Sequence, residues 1–318
     1  MVKQERIQAV VSEVIYETPK VKRFRLTPVK AGSLPKFSAG AHITTYLENE
    51  GKELERHYSL ISNPNQTDYY EIAINRNPKS KGGSVYWHNH VRTGQELEIS
   101  FPKNQFSLSF QAKHHVFLAA GIGITPFLAM AAELKAKGKS FELHYAAASK
   151  EACSFFNFLT TEYPQQTYFY FSNEQKKMDP GIMIGQKIGS HVYFCGPESM
   201  VHQFKNAAYG FGYPEKSIHY ELFSPPDFGP TYPFQVNLNK SKRVLNVTGD
   251  ESLLETLLNS GVKAPYSCKI GGCGSCEVGV LEGEVDHRDV YLTEEEKKNN
   301  NVILTCVSRG KILSWNCR

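Results

Sequence analysis

Residues Cys268–Cys276 read CKIGGCGSC, three cysteines in nine residues with Gly271, Gly272 and Gly274 packed between them. A fourth cysteine, Cys306, completes the spacing C-x4-C-x2-C-x29-C. Such a density of thiols reads as a disulfide knot, a zinc knuckle or a cradle for iron and sulfide, and the spacing has to choose among them. The glycines let the backbone come close to a bound group and take up positive φ, so that N–H groups can point at it.

Iron and sulfide fit the spacing. Plant-type [2Fe-2S] centres open with C-x4-C-x2-C and take a remote fourth cysteine, because one loop wraps the cluster while a distant strand closes it. Structural zinc is the alternative, but it usually uses paired C-x2-C knuckles, and only one such pair occurs here. A disulfide is a third reading. Cys268, Cys273, Cys276 and Cys306 are therefore the expected metal ligands.

The rest of the chain supplies the context. It has 318 residues, 41% of them apolar, enough for two or three domains with cores of their own. Seven cysteines, an odd count in a chain of this length, argue against a secreted disulfide framework. Cys153 and Cys317 lie outside any ligand spacing and read as buried or incidental thiols. The opening MVKQERIQAV carries charges where an export signal needs an apolar run. The run VFLAAGIGITPFLAMAAEL from Val116 is broken by Gly121, Gly123 and Pro126, so it reads as a turn and a helix rather than a membrane span. The expectation is a soluble protein of a reducing, cytoplasmic compartment with no membrane partner. Its net charge of +4 is diffuse, with as many acidic as basic residues after Phe234, and excludes a concentrated nucleic-acid face. The eleven histidines show neither H-E-x-x-H nor a Cys/His finger spacing.

Three textures follow one another along the chain. Residues 1–108 predict an all-β barrel: IQAVVSEVIYE, VKRFRLTP, AHITTYL, DYYEIAIN and ELEIS are short, rich in β-branched and aromatic residues, and separated by Gly, Pro and Asn. Residues 109–223 alternate strands (HVFLAA, FELHYAAA, TYFYFS, HVYFC) with helices, as in an α/β parallel-sheet nucleotide-binding domain. Residues 224–233 lie in FSPPDFGPTYP, whose four prolines and one glycine read as a stiff extended linker. Residues 234–318 form an α+β unit with the helix ESLLETLLNSG, and EEEKKNNN reads as a solvated helix end and turn. The fold class is thus multidomain.

GIGITP follows the strand VFLAA and precedes a helix, the context that turns a glycine-rich string into a dinucleotide site. Gly121 and Gly123 permit a tight turn close to a pyrophosphate, while Thr125 and Pro126 start the helix. The full G-x-G-x-x-G pattern is absent. Cys195 ends the strand HVYFC and is followed by Gly196 and Pro197, which places its thiol at the C-terminal edge of the sheet, where ligands bind in open α/β folds. A core cysteine is the competing reading.

RHYSL, GIGITP with the later CGP, and the four spaced cysteines occur here in the order that characterises one family. Over its whole length the chain resembles the phthalate dioxygenase reductases, and within them the reductase subunits of vanillate and carnitine monooxygenases. The resemblance implies a flavin barrel, a nicotinamide domain and a C-terminal plant-type ferredoxin. It implies FMN lined by Arg56, His57, Tyr58 and Ser59: Tyr58 offers an aromatic face, Arg56 a fork for phosphate and Ser59 a hydroxyl near the reactive N5. An ordinary barrel strand with alternating polar and apolar positions is the plain alternative. In KGGSVYWHNH a helix starts after two glycines, so Gly83 and Ser84 are candidate phosphate binders, and a capping role for Ser84 is compatible with that. Cys195, Gly196 and Pro197 border the nicotinamide by the same resemblance. Glu221 and Phe223 of HYELF stand at the family's E-x-F position, where the aromatic ring covers the flavin. Ser59, Cys195, Glu221 and Phe223 are the catalytic candidates.

Two departures bear on the nucleotide. Ala148 stands where the family often has arginine, and Ser172 and Asn173 replace the acidic residue that binds a ribose 2'-hydroxyl, with Lys176 and Lys177 close behind. NADH with tolerance of NADPH is expected. The implied partner is a Rieske-type oxygenase, docking near Lys263 and Lys269. A reductase for another acceptor such as a cytochrome, and an NADH-binding redox sensor, remain alternative readings.

Overall fold

The computed structural model describes residues 5–49, 51–78, 82–310 and 316–317. The side chain of Cys317 lies outside what is described. The chain passes from one compact unit to a second between Glu221 and Leu222.

The first unit opens with antiparallel strands β1 (Arg6–Thr18), β2 (Val21–Pro28), β3 (Ala41–Asn49), β4 (Lys52–Ser59) and β5 (Tyr70–Asn75). Helix α1 (Gly83–Asn89) leads to β6 (Glu96–Ser100) and β7 (Lys103–Asn104). The strand order is β4-β3-β6-β1-β2-β5, with β7 on β3. Alternation decides the faces: Phe24 and Leu26 of β2 are buried in the barrel core with Val11, Ile43, Ile72 and Trp87. Between them, Arg23 and Arg25 face outward and pair with Glu17, Glu13 and Glu71.

The α/β part follows: β8 (His114–Ala120), α2 (Thr125–Ala136), β9 (Phe141–Ala147), α3 (Phe156–Glu162), β10 (Thr167–Phe171), β11 (Ser190–Cys195), α4 (Glu198–Gly210) and β12 (Ile218–Glu221). The sheet is parallel throughout, in the order β10-β9-β8-β11-β12. The chain winds from β8 towards β10, then returns to the other side of β8, which makes the gap between β8 and β11 the topological switch point. Helix α4 went unread in the sequence, although Val201, Phe204 and Ala208 recur at helical spacing and are buried.

Barrel and sheet, expected as separate domains, are fused by one core. Val21, Ala39, Ile61 and Ala73 of the barrel part join Phe117, Ile124, Phe127 and Met130 in a single apolar cluster. Glu133 of α2 accepts the Ala39 N–H at 2.9 Å.

The second unit contains β13 (Phe234–Leu238), β14 (Arg243–Val247), α5 (Leu253–Asn259), β15 (Glu277–Glu282), β16 (Val285–Asp286), α6 (Glu294–Asn299), β17 (Val302–Leu304), β18 (Arg309–Gly310) and β19 (Asn316–Cys317). Its main sheet runs β14-β13-β19-β15-β17, and β13 and β19 are parallel. Both helices begin with a capping box, Ser252 with Glu255 and Thr293 with Glu296. EEEKKN is therefore a short helix of its own rather than the end of another. The proline-rich stretch before β13 is no free connector at its C-terminal end. Buried Arg288 donates to the carbonyls of Gly229 and Pro230, and buried Arg309 to that of Tyr232. Among the described residues, no helix is long and apolar enough to cross a membrane.

Candidate functional site

The nucleotide edge is built by two loops that touch. After β8 the chain enters a short 3-10 turn, Gly121–Ile124, which runs directly into α2 with Pro126 in its first turn. Gly121 has φ +55°, and its carbonyl accepts the Tyr145 hydroxyl at 3.0 Å. A Cβ on Gly123 would lie 2.1 Å from the Cys195 carbonyl oxygen and 2.7 Å from the Gly196 nitrogen. The sequence pointed to close approach of a pyrophosphate; the structure adds close approach of the neighbouring loop, which only glycine permits. Gly121, Gly123, Cys195 and Gly196 thus flank the switch point, while Pro197 is exposed and precedes α4.

Cys195 has no exposed surface, and burial pushes its thiol well above the ordinary range. Of the two readings left open for it, core and site edge, the structure makes it a neutral wall beneath the loop rather than a titrating thiol. Glu221 is its register partner on β12. The Glu221 Oε2 is enclosed without a hydrogen-bond partner among the described residues, and desolvation raises the carboxyl to about 8. A carboxyl in that state is protonated at neutral pH and can donate. Phe223 falls in the second unit, with 45% of its surface exposed.

The flavin candidates sit on β4. Arg56 packs against the start of α1: a Cβ on Gly83 would lie 2.3 Å from its Nε. Tyr58 meets Trp87 edge-on at 5.8 Å, and desolvation raises its hydroxyl. Its neighbours point the other way. His57 Nδ1 lies 2.9 Å from the Thr44 hydroxyl, and buried Ser59 pairs in register with His42. Ser84 is not the helix cap, a place taken by left-handed Gly82; its hydroxyl accepts the Asn77 N–H at 3.1 Å. His42 is a group the sequence did not single out. It is buried, its Nε2 has no partner among the described residues, and desolvation lowers it to about 4. Strand alternation opposite Ser59 was the available signal.

In the second unit the four cysteines come together as two pairs. The sulfurs of Cys276 and Cys306 are 3.3 Å apart; the Cys268 and Cys273 thiols are close enough to perturb one another, and Cys273 Sγ donates to the Ser275 hydroxyl at 3.4 Å. In each pair the partner's hydrogen bond holds one thiol down, Cys273 and Cys276, and the other up, Cys268 and Cys306. Backbone donors are in place as well: the Ile270 N–H reaches the Cys268 sulfur at 3.5 Å, and the Gly271 N–H favours the thiolate of Cys306. The Thr305 amide and hydroxyl both donate to the Cys276 carbonyl, at 3.2 and 3.1 Å, tying the remote ligand's strand to the loop. Among the described residues no set of three or more His, Cys, Asp or Glu converges as around one ion. Two pairs suit two irons bridged by sulfide, each taking two thiolates, better than one tetrahedral zinc. The residues present fit a [2Fe-2S] centre.

A flavin barrel, a parallel sheet with a nucleotide edge and a paired-cysteine loop define a flavin- and iron–sulfur-dependent oxidoreductase. Three family models match successive stretches: an oxidoreductase FAD-binding domain at residues 8–108, the N-terminal domain of a dimethylamine monooxygenase subunit DmmA-like family at 101–218, and a 2Fe-2S iron-sulfur cluster binding domain at 236–311. The chain is 38% identical to the heme-dependent oxidative N-demethylase beta subunit of Ectopseudomonas mendocina, covering 92% of each chain. It is 34% identical to the carnitine monooxygenase reductase subunit of Acinetobacter baumannii, covering 96% of each. Among solved structures it superposes on phthalate dioxygenase reductase, described as a modular structure for electron transfer from pyridine nucleotides to [2Fe-2S], with TM-score 0.81 and 31% identity over 98% of this chain and 97% of that one. The chain belongs to the phthalate dioxygenase reductase-like family, the reductase subunits of oxygenase systems.

Proposed function

We propose that this reductase oxidises NADH at an FMN carried by β4 and α1, and delivers electrons through the cysteine loop to a separate Rieske-type oxygenase. The observation that carries the reading is the division of labour within one chain: a switch-point loop for a dinucleotide in one unit, and two cysteine pairs for two irons in the other. A bound flavin accepts hydride and releases electrons singly, whereas an iron–sulfur cluster takes them one at a time. The protein supplies geometry. Arg56, packed on the start of α1, offers a planar fork to the flavin phosphate. Gly121 and Gly123 keep the nucleotide edge open to a pyrophosphate. Cys195 and Glu221 form a buried, unionised floor beneath the nucleotide edge, in which the protonated carboxyl of Glu221 can donate a hydrogen bond. The pairing of Cys268 with Cys273 and of Cys276 with Cys306 holds thiolates ready for iron.

One observation favours a second reading of the partner. The β subunit serving a heme-dependent N-demethylase is 38% identical to this chain, and the model matching residues 101–218 is that of a dimethylamine monooxygenase subunit family. A haem-containing oxygenase is the acceptor in that case.

The test begins with the visible spectrum of the purified protein and chromatography of the flavin released on denaturation. FMN with two irons and two sulfides per chain is the expected result. The Cys273→Ala variant then loses transfer to a one-electron protein acceptor while NADH oxidation by ferricyanide is largely kept. Survival of both activities would remove the cluster from the route. Pairing the wild type with purified Rieske and haem oxygenases decides between the acceptors.

A further inference from the structure

Behind the cysteine loop lies a carboxylate that the family reading does not use. Asp289, between β16 and α6, is 1% exposed. Its Oδ1 accepts the N–H groups of Tyr291 and Leu292 at 3.2 and 2.8 Å, and its Oδ2 faces the Ser308 hydroxyl at 3.4 Å. All of these donors are neutral. His287 Nδ1 stands 3.5 Å from Oδ2, and desolvation lowers the pKa of that half-buried ring, so it faces Asp289 as a neutral group. The two buried arginines of this layer are committed elsewhere, Arg288 to Asp286 and to main-chain carbonyls, Arg309 to the carbonyls of Tyr232, Thr248 and Glu251. Among the described residues, no lysine or arginine pairs with Asp289.

The same residue is packed against the backbone of the cluster loop. A Cβ on Gly271, which has φ +74°, would lie 3.2 Å from the Asp289 Cα and 2.6 Å from Val307. The Gly271 carbonyl accepts the Val290 N–H at 3.1 Å, Gly271 lies in the loop between the ligand cysteines Cys268 and Cys273, and Val307 directly follows Cys306. Asp289 is therefore packed against the loop that carries two of the ligand cysteines, and its carboxylate charge is met by neutral dipoles and by no lysine or arginine among the described residues. In a low-dielectric interior such a charge opposes any further negative charge nearby.

We propose that Asp289 is a positioning residue that sets the reduction potential of the cluster, holding the Gly271 turn in register and, through its buried charge, making addition of the electron less favourable. It keeps the centre strongly reducing towards its acceptor. The proposal rests on the iron–sulfur reading of the four cysteines, and the experiment separates the two.

The full-length protein is titrated potentiometrically with the cluster's EPR signal as readout, after iron and sulfide analysis. Two irons and two sulfides in the wild type establish the iron–sulfur reading by themselves. Asp289→Asn preserves the acceptor for the Tyr291 and Leu292 amides and removes the charge. Its midpoint is expected to rise by on the order of tenfold in the one-electron equilibrium, which is 59 mV. His287→Lys leaves the hydrogen bonds of Asp289 to Tyr291, Leu292 and Ser308 in place and sets a cation beside Oδ2, so it shifts the midpoint the same way. Asp289→Glu, which keeps the charge, stays near the wild type. An upward shift in either neutralising variant at wild-type iron content supports the proposal. If those variants that retain the cluster titrate at the wild-type potential or below it, the proposal is overturned.

Discussion

At the scale of single residues, burial decides protonation state. Glu221 shows this most plainly. Its carboxyl, raised to about 8 by desolvation, keeps a proton in the folded chain that the unfolded chain releases near the ordinary carboxylate value of 4.5. The folded state then binds more protons between those two values. Stability is fullest below the lower one, falls as pH rises to about 8, and is level beyond. At about 1.4 kcal/mol per pH unit, the loss is a few kcal/mol and at most about 5. Glu221→Gln, neutral throughout, is expected to lack this slope and to exceed the wild type in unfolding free energy at pH 8.5. Denaturant titrations of both proteins from pH 5 to 9 check it, and parallel curves would contradict it. Gly123 teaches a different lesson. Its glycine was legible in GIGITP, but the reason only glycine fits is the Cys195 carbonyl, a contact from a strand some seventy residues later that no local pattern announces.

At the scale of elements, the strands were readable because alternation and β-branched runs are local properties, while two helices were missed or misjudged. Helix α4 has an apolar stripe in the sequence but follows Gly196 and Pro197 and went unread; α6 is polar all round, and only its capping box of Thr293 and Glu296 marks its start. The other capping box has a measurable consequence. Ser252 accepts the Glu255 N–H at 3.1 Å, and in the same first turn the Leu254 N–H donates to the Thr305 carbonyl beside Cys306. Ser252→Ala should lower stability of the second unit by about 1 kcal/mol, read from loss of cluster absorbance in urea; an unchanged midpoint would deny the cap a role. We propose that the loop after β10 sets the nucleotide preference. The Ser172 hydroxyl and the Asn173 N–H both bond to the Ala148 carbonyl, at 3.3 and 3.1 Å, so the ends of β9 and β10 form one ledge without a carboxylate at 172 or 173. A ribose 2'-phosphate meets no repulsion from those two positions. NADPH is expected to be turned over alongside NADH, and a ratio of kcat/KM favouring NADH by more than about a thousandfold, ~4 kcal/mol, would reject this.

At the scale of the whole molecule, the three textures seen along the sequence fall into two compact units, the first two of them sharing one. Cofactor stability should follow that division. The second unit has a modest apolar core, centred on Val236, Val247, Leu253, Leu257 and Ile303, and four cysteines whose close pairs are held by metal when it is present. Removing iron and sulfide with acid or a chelator should lower the unfolding midpoint of the second unit while leaving that of the first, followed by flavin fluorescence, where it was. A single transition shifted as a whole would show that the two units unfold together.

The sequence by itself determined the three kinds of secondary-structure pattern, the dinucleotide loop and the cysteine spacing. Each is written in residues near one another in the chain, where periodicity, turn chemistry and ligand intervals act directly. Only the tertiary structure decided that barrel and sheet share one core, that Cys195 is enclosed and Glu221 neutral, that the four thiols divide into two pairs, and that Asp289 lies against Gly271. Those facts depend on which distant segments exclude water from one another, and burial of a charge or a thiol is a property of the packed chain that no interval in the sequence encodes.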